Sequence, residues 1–545
     1  MRRPPRPSAE TIAKWQGRRF GLFIHWGLYS TLGGTWNGQR IDGYNEQIQA
    51  HARIPKDEYE QLASQFNPLE WDPDMVASLA ADAGMKFVVI TSKHHDGFSL
   101  FHTGQTGYNV VDATPYGRDV VAELSEACAR KGLDFGVYFS TIDWHYEGAT
   151  PIDYDPLSGI RNDNEIPDVH ARFNAAQLSE LMSNYGPISE VWFDMGKPSL
   201  DQSILFADTV HRLQPETMVS GRVFNYQGDF TVMGDNEIPS YPLGEPWQSP
   251  ASIFHETWGY RSWQERPDVV AKTREHICNL VRVVSRGGNY LLNIGPRGDG
   301  SIVEFEAEVL LGIGDWLAKN REAIEDTEPQ PFRHLDFGAA TYRGQNLFLF
   351  VLDWPEDGAI RLPGLETEIL SARFAGCREL PVGVEAGFPK IEVGPETGER
   401  LPAIVKVELA EPPVVRHRSV HPDSDGSLFL FPVSGDAYYH RNGYGYSDPP
   451  RLHRLQWLVS GIEPGSYTVS GKFQRPGDTA TVQISIGEHM IVATVPDSGS
   501  TAIQLGQVQL ASDTLLEVRI SPPMPYEKGV ALGAIPIHIS LMKNS

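Results

Sequence analysis

Apolar positions along the first 325 residues fall into two alternating patterns. Short, nearly continuous apolar runs read as strands buried on both faces. Longer stretches with apolar residues every three or four positions read as amphipathic helices. The strand runs are 19–26, 86–93, 133–140, 188–194, 217–222, 229–234, 252–256 and 290–294. Helical patterns lie at 73–83, 119–131, 168–184, 201–213 and 266–286. Eight strands joined mostly by helices have the count and order of an α/β fold, a (β/α)8-like (TIM) barrel over 1–328. Only short segments separate the fifth, sixth and seventh strands, so the helical ring is expected to be incomplete.

Beyond residue 325 the pattern changes to alternating runs such as Leu347-Phe348-Leu349-Phe350-Val351-Leu352, with Gly and Pro between them. This predicts C-terminal all-β sandwich domains, one over 329–415 and a second over 416–545. Runs at 466–473, 481–486 and 515–520 give the second a strand spacing that resembles carbohydrate-binding modules. The tyrosine-rich stretch from Tyr438 to Tyr446 reads either as a glycan-stacking surface or as a packed seam.

Composition narrows the partners. Of 545 residues, 41% are apolar and 21% charged, and 46 basic against 70 acidic residues give a net charge of −24. Nucleic acid and anionic membrane both need a basic footprint, so neither is an expected partner. Cys128, Cys278 and Cys377 are far apart and form no C-x-x-C pair, which reads as reduced thiols rather than a disulfide framework or zinc site. The N-terminus is basic with no apolar run behind it. No signal peptide or membrane span is read, and a cytoplasmic location is expected unless a leader has been removed.

A barrel of this kind carries its active site at the C-terminal ends of its strands. Those ends hold His25, His94, His95, Tyr138, Trp192, Asp194, Arg222, Asp235, Trp258 and Asn293. Taken singly, an aspartate after a strand is most often a helix cap, and a histidine or tryptophan there is ordinary packing. Together they have the chemistry of a sugar pocket, in which aromatic faces pack on C–H surfaces while His, Arg and carboxylates bond hydroxyls. Two carboxylates across such a pocket can break a glycosidic bond, one as nucleophile and one as proton donor. His94-His95-Asp96 could also suggest a metal, but no second H-x-H or Cys cluster completes a ligand set, and none is expected.

The segments Phe20-Gly21-Leu22-Phe23-Ile24-His25-Trp26-Gly27, Lys93-His94-His95-Asp96-Gly97-Phe98, Trp192-Phe193-Asp194 and Trp258-Gly259-Tyr260 closely resemble the α-L-fucosidases of glycoside hydrolase family 29. The resemblance covers roughly 12–300. It implies a barrel with a C-terminal β-sandwich and retaining, metal-free removal of terminal α-L-fucose from a fucosylated oligosaccharide or glycoconjugate, with no cofactor. Asp194 matches the family nucleophile. His25, Glu46, His94, His95, Tyr138, Trp192, Arg222 and Trp258 match sugar-binding positions or motifs. Gln47 stands where the family commonly has tryptophan, and Pro246-Trp247-Gln248 has a glutamine amide, which cannot deliver a proton. Gly234-Asp235-Asn236-Glu237-Ile238-Pro239 resembles the subgroup whose acid/base is an aspartate, which makes Asp235 the candidate and Glu237 and Glu256 the fallbacks. Competing classes are a metal-dependent barrel hydrolase or isomerase and a non-catalytic glycan-binding protein. Assembly into a homo-oligomer is left open.

Overall fold

The computed structural model describes residues 5–155, 159–161, 163–239, 243, 245–332, 335–374, 378–385, 388–394, 402–416, 419–431, 436–440, 451–473, 480–496, 502–510, 516–521 and 536–544. The described chain forms two compact units, one made essentially of residues up to 329 and the other of those that follow.

The first unit is built on eight parallel strands: β1 (Phe20–Ile24), β2 (Phe87–Lys93), β3 (Asp134–Ser140), β4 (Glu190–Asp194), β5 (Met218–Val219), β6 (Thr231–Val232), β7 (Trp247–Ser252) and β8 (Asn289–Ile294). Their order in the sheet is β6-β7-β8-β1-β2-β3-β4-β5. A single parallel bridge between Ser220 and Phe230 links the two edge strands and closes the barrel. Outer helices follow β1 (α2, Pro73–Asp82), β2 (α3, Val120–Lys131), β3 (α4, Asp168–Asn184), β4 (α5, Leu200–Leu213), β7 (α6, Val269–Val284) and β8 (α7, Glu304–Asn320). Between β5 and β6 there is only a 3₁₀ turn, Gly221–Val223, so the ring is incomplete on the side with the shortest connections.

The helix ends carry expected signals. Asp72, Asp119 and Asp268 accept bonds from first-turn amides of α2, α3 and α6, and Ser199 with Gln202 forms a capping box on α5. The N-terminal helix α1 (Ala9–Gly17) places Trp15 in the core of the barrel, 4.4 Å from the Phe230 ring. Inside the barrel Phe23, Phe87, Val89, Tyr138, Trp192, Met218 and Leu291 form one apolar cluster with Trp15. Two glycines make room for this filling. A Cβ on Gly21 would lie 2.4 Å from the Phe87 ring, and one on Gly136 would lie 2.8 Å from the Glu190 side chain.

The seventh strand departs from expectation. It runs over Trp247–Ser252 rather than 252–256, and Phe254 to Thr257 is a turn closed by the Thr257 amide. Gln248, Ser249 and Pro250 hide this strand from an apolar-run reading because the barrel base here takes polar side chains that are internally bonded.

In the second unit, Gly338–Arg343, Asn346–Val351, Ala403–Leu409 and Ile369–Phe374 form antiparallel neighbours in that order. A mainly antiparallel pair of sheets follows. Arg451–Val459, Leu516–Ser521 and Ala480–Ile486 belong to one, and Gly465–Phe473, Ile503–Leu510 and Pro536–Lys543 to the other. Trp457, Ile484 and Val518 from the first sheet share a core with Tyr467, Val469 and Leu541 from the second. Of the tyrosine-rich stretch, Tyr438 and Tyr439 lie in strand Asp436–His440, while 441–446 lie outside the described residues. Cys128 is a buried free thiol, and Cys377 lies outside the described residues. No helix among the described residues is long and apolar enough to cross a membrane.

Candidate active site

Strand side chains alternate between faces, so Glu190, Trp192 and Asp194 of β4 all point into the barrel, at its base, middle and mouth. Asp194 is only 8% exposed. Its Oδ2 accepts the Tyr138 hydroxyl at 2.9 Å, and its Oδ1 accepts Nη1 of Arg222 at 2.8 Å. The other arm of the same guanidinium donates to Oδ1 of Asp235 at 2.6 Å and to the carbonyl of Met233 at 3.2 Å. One arginine therefore bridges the two candidate carboxylates. Its guanidinium rests 4.8 Å above the Trp192 ring, a cation–π contact that fixes the height of the fork. Burial disfavours the charge on Arg222, but Asp235 and Asp194 outweigh it and raise the guanidinium above its ordinary value.

The histidines surround this pair. Nδ1 of His25 lies 2.7 Å from Asn293 Oδ1, and Nδ1 of His95 lies 2.8 Å from Ser140 Oγ. His95 Nε2 faces Asp194 Oδ2 at 4.0 Å. The chain turns after β2, where the Gly97 amide bonds the His94 carbonyl, so both adjacent histidines reach the site. His94 stacks on Tyr138 with centroids 5.4 Å apart and lies 5.7 Å from His25. Burial lowers His25 and His95 to about 4 and His94 well below its ordinary value. At neutral pH each is an uncharged imidazole, and since Nδ1 of His25 and of His95 is engaged, each of these two offers a sugar hydroxyl its Nε2.

Trp258 lies 5.1 Å from His25, and its carbonyl accepts Asn293 Nδ2. Glu46 Oε2 accepts the Trp258 and Gly259 amides at 3.1 and 2.9 Å, which ties the 45–47 turn to the Trp258 loop. Burial pushes Glu46 up to about 7 despite those bonds. Gln47 is buried, and Tyr44 is the aromatic from this segment that packs against the interior cluster. Trp26, by contrast, stacks on Trp71 and bonds the Arg297 carbonyl, a packing role.

The two fallback carboxylates have other surroundings. Glu237 folds back so that its Oε2 accepts the Gly234 amide at 3.0 Å. Glu256 is exposed on the turn that replaces the expected seventh strand, and its carbonyl accepts Arg261. Gln248 lies fully buried at the start of β7, where it accepts the Trp192 indole N–H at 2.8 Å and donates to Glu190 at 3.1 Å. Sequence reading missed this interior role for Gln248 and Glu190. The available signal was the even spacing of Glu190, Trp192 and Asp194 on one strand face. Ser140, which orients His95, was also missed, although it ends β3. Among the described residues no group of three or more His, Cys, Asp or Glu side chains is arranged to hold a metal ion.

The α-L-fucosidase family model matches residues 6–322. The chain belongs to the α-L-fucosidase family. This fucosidase is 30% identical over 386 residues to rat tissue α-L-fucosidase, spanning 66% of this chain and 80% of that protein. It is 31% identical to the human tissue enzyme over 366 residues, 63% and 76% of the two chains. Among solved structures, an α-L-fucosidase from Vibrio sp. strain EJY3 superposes with a TM-score of 0.68 at 28% identity, covering 98% of each chain. One from Lactobacillus casei, in complex with α-L-fucose product, is 35% identical and covers 57% of this chain and 99% of its own, with a TM-score of 0.51. As a member of the family, the fucosidase is a glycoside hydrolase acting on fucosides.

Proposed function

We propose that this fucosidase releases terminal α-L-fucose from fucosylated oligosaccharides or glycoconjugates by double displacement, with Asp194 as nucleophile and Asp235 as general acid/base. The observation that carries this reading is the shared Arg222 fork, which ties the two carboxylates to one guanidinium. In the first step Asp194 attacks the anomeric carbon while Asp235 gives its proton to the departing oxygen. For this step Asp235 enters in its protonated form, and its proton passes to the departing oxygen as the glycosidic bond breaks. Once Asp194 is esterified its charge is gone, and Arg222 then acts on Asp235 alone. Asp235, a carboxylate since it gave up its proton, then takes one from the attacking water, and fucose leaves with its configuration retained.

The uncharged histidines, Tyr138, Glu46 and the faces of Trp192 and Trp258 supply the sugar-binding surface in this reading. No cofactor or metal enters it. The chain divides into a catalytic barrel over 1–328, a sandwich over 329–415 and a carbohydrate-binding-type sandwich over 416–545. A non-catalytic glycan-binding role drew its support from Gln47 and Gln248, and Gln248 serves the barrel base. The test is release of free fucose from an aryl α-L-fucoside, measured with and without a chelator. Turnover that persists with chelator supports the reading, and absence of fucose contradicts it.

A further inference from the structure

Among the described residues nine that are not glycine have positive φ, and five of them follow the three charged residues of the site. Met195 follows Asp194, Asn236 follows Asp235, and Phe224, Asn225 and Tyr226 come just after Arg222, with φ of 62°, 53° and 57°. Phe224, at ψ −177°, occupies a region that is essentially glycine's alone. Three consecutive residues in this conformation persist only where the surroundings impose it. Here they do. Asn225 Nδ2 donates to the Pro198 carbonyl and to Ser203 Oγ, both at 2.9 Å, and Gln227 Nε2 donates to the Asn225 carbonyl at 2.8 Å. Arg6 then holds the Gln227 carbonyl at 2.6 Å.

This pinned turn leaves two aromatic side chains in solvent. Phe224 is 39% and Tyr226 68% exposed, although every other aromatic singled out at the barrel mouth is buried. The turn connects β5 to β6 at the C-terminal end of the barrel, beside the strand end that supplies Arg222. A pinned, strained backbone that exposes two rings two and four residues after Arg222 is the construction expected of a stacking platform.

We propose that Phe224 and Tyr226 form the leaving-group subsite, a platform for the apolar C–H face of the pyranose to which fucose is attached. This rests on the double-displacement reading above, because Asp235 must face the departing oxygen and the second sugar lies beyond it. The buried pocket around Asp194 then selects fucose, and the exposed turn selects what fucose is joined to.

The test compares kcat/KM for a fucosyl lactoside with that for α-L-fucosyl fluoride, which has no second sugar. In Phe224→Ala and Tyr226→Ala the ratio of saccharide to fluoride should fall about 3- to 10-fold per ring, and Tyr226→Trp should keep it. An active enzyme whose ratio is unchanged by both alanine substitutions overturns the platform. So does equal loss on both substrates, or a Tyr226→Trp variant as poor as Tyr226→Ala. Tyr226 is exposed enough for its alanine variant to decide the matter if Phe224→Ala does not fold. A parent chain with no turnover of the fluoride overturns the double-displacement reading itself, and the platform falls with it.

Discussion

Glu190 and Asp194 are two acidic residues on one strand, four positions apart and facing the same interior, yet their surroundings differ in kind. Glu190 meets only neutral donors, the Trp15 indole at 2.6 Å and the Gln248 amide at 3.1 Å. Asp194 meets the Arg222 cation, the Tyr138 hydroxyl and a histidine edge. Burial pushes Glu190 up, against its bonds to Trp15 and Gln248 and the charge of Arg18. The base of the barrel thus treats a carboxylate as a hydrogen-bonded packing element, and the mouth joins one to a second through a shared cation. What separates the structural acid from the proposed nucleophile is the set of partners.

The sharpest way to break that contrast is to remove each acid in turn. Asp194→Ala should lower kcat on an aryl α-L-fucoside by at least about 10³-fold with the fold retained. Asp235→Ala should cost roughly 10²- to 10⁴-fold, and azide should restore turnover by replacing the water that the acid/base activates. Rescue by azide in a Glu237 variant instead would move the acid/base to Glu237.

Gln248→Met probes the packing side of the comparison. It leaves the Trp192 N–H without its acceptor and Glu190 with the Trp15 indole but without the Gln248 amide, so denaturant melts should show a loss of about 1–3 kcal/mol. Its effect on kcat should be far smaller than that of either aspartate variant. A loss of activity as large as that of Asp235→Ala would mean that Gln248 belongs to the reacting groups after all.

The smallest effect concerns pH. Glu190 has a folded pKa above its ordinary 4.5, so the stability it contributes is fully present below 4.5 and is lost as pH rises through the folded value. Glu190→Gln removes that fall. Its melting temperature should therefore gain on the parent's by a few degrees at most as pH rises from 4.5, and a constant difference would show that Glu190 does not titrate differently on folding.

Most of the barrel was legible because its strands are buried on both faces and so read as apolar runs. The run 86–93 became β2 and 290–294 lies within β8 for that reason. Strand β7 was not legible, since Gln248, Ser249 and Ser252 are polar residues whose partners, Trp192 and Glu190 on β4 and the Glu237 and Thr257 carbonyls, lie outside the strand itself. The mouth was legible as a set of residue types at strand ends. Its wiring was not, because Arg222 and Asp235 meet only when the β5–β6 turn folds back. Glu256 looked plausible while it stood at a strand end, and it lost that place when the strand proved to end at Ser252.

In the proposed mechanism the acid held by Arg222 and Tyr138 attacks the sugar. Incubation with 2-fluoro-fucosyl fluoride followed by peptide mass spectrometry reads this directly. A fluorofucosyl adduct on the peptide carrying Asp194, absent in Asp194→Ala, is the predicted result. An adduct on Glu190, Asp235 or any other residue of an active enzyme would contradict it.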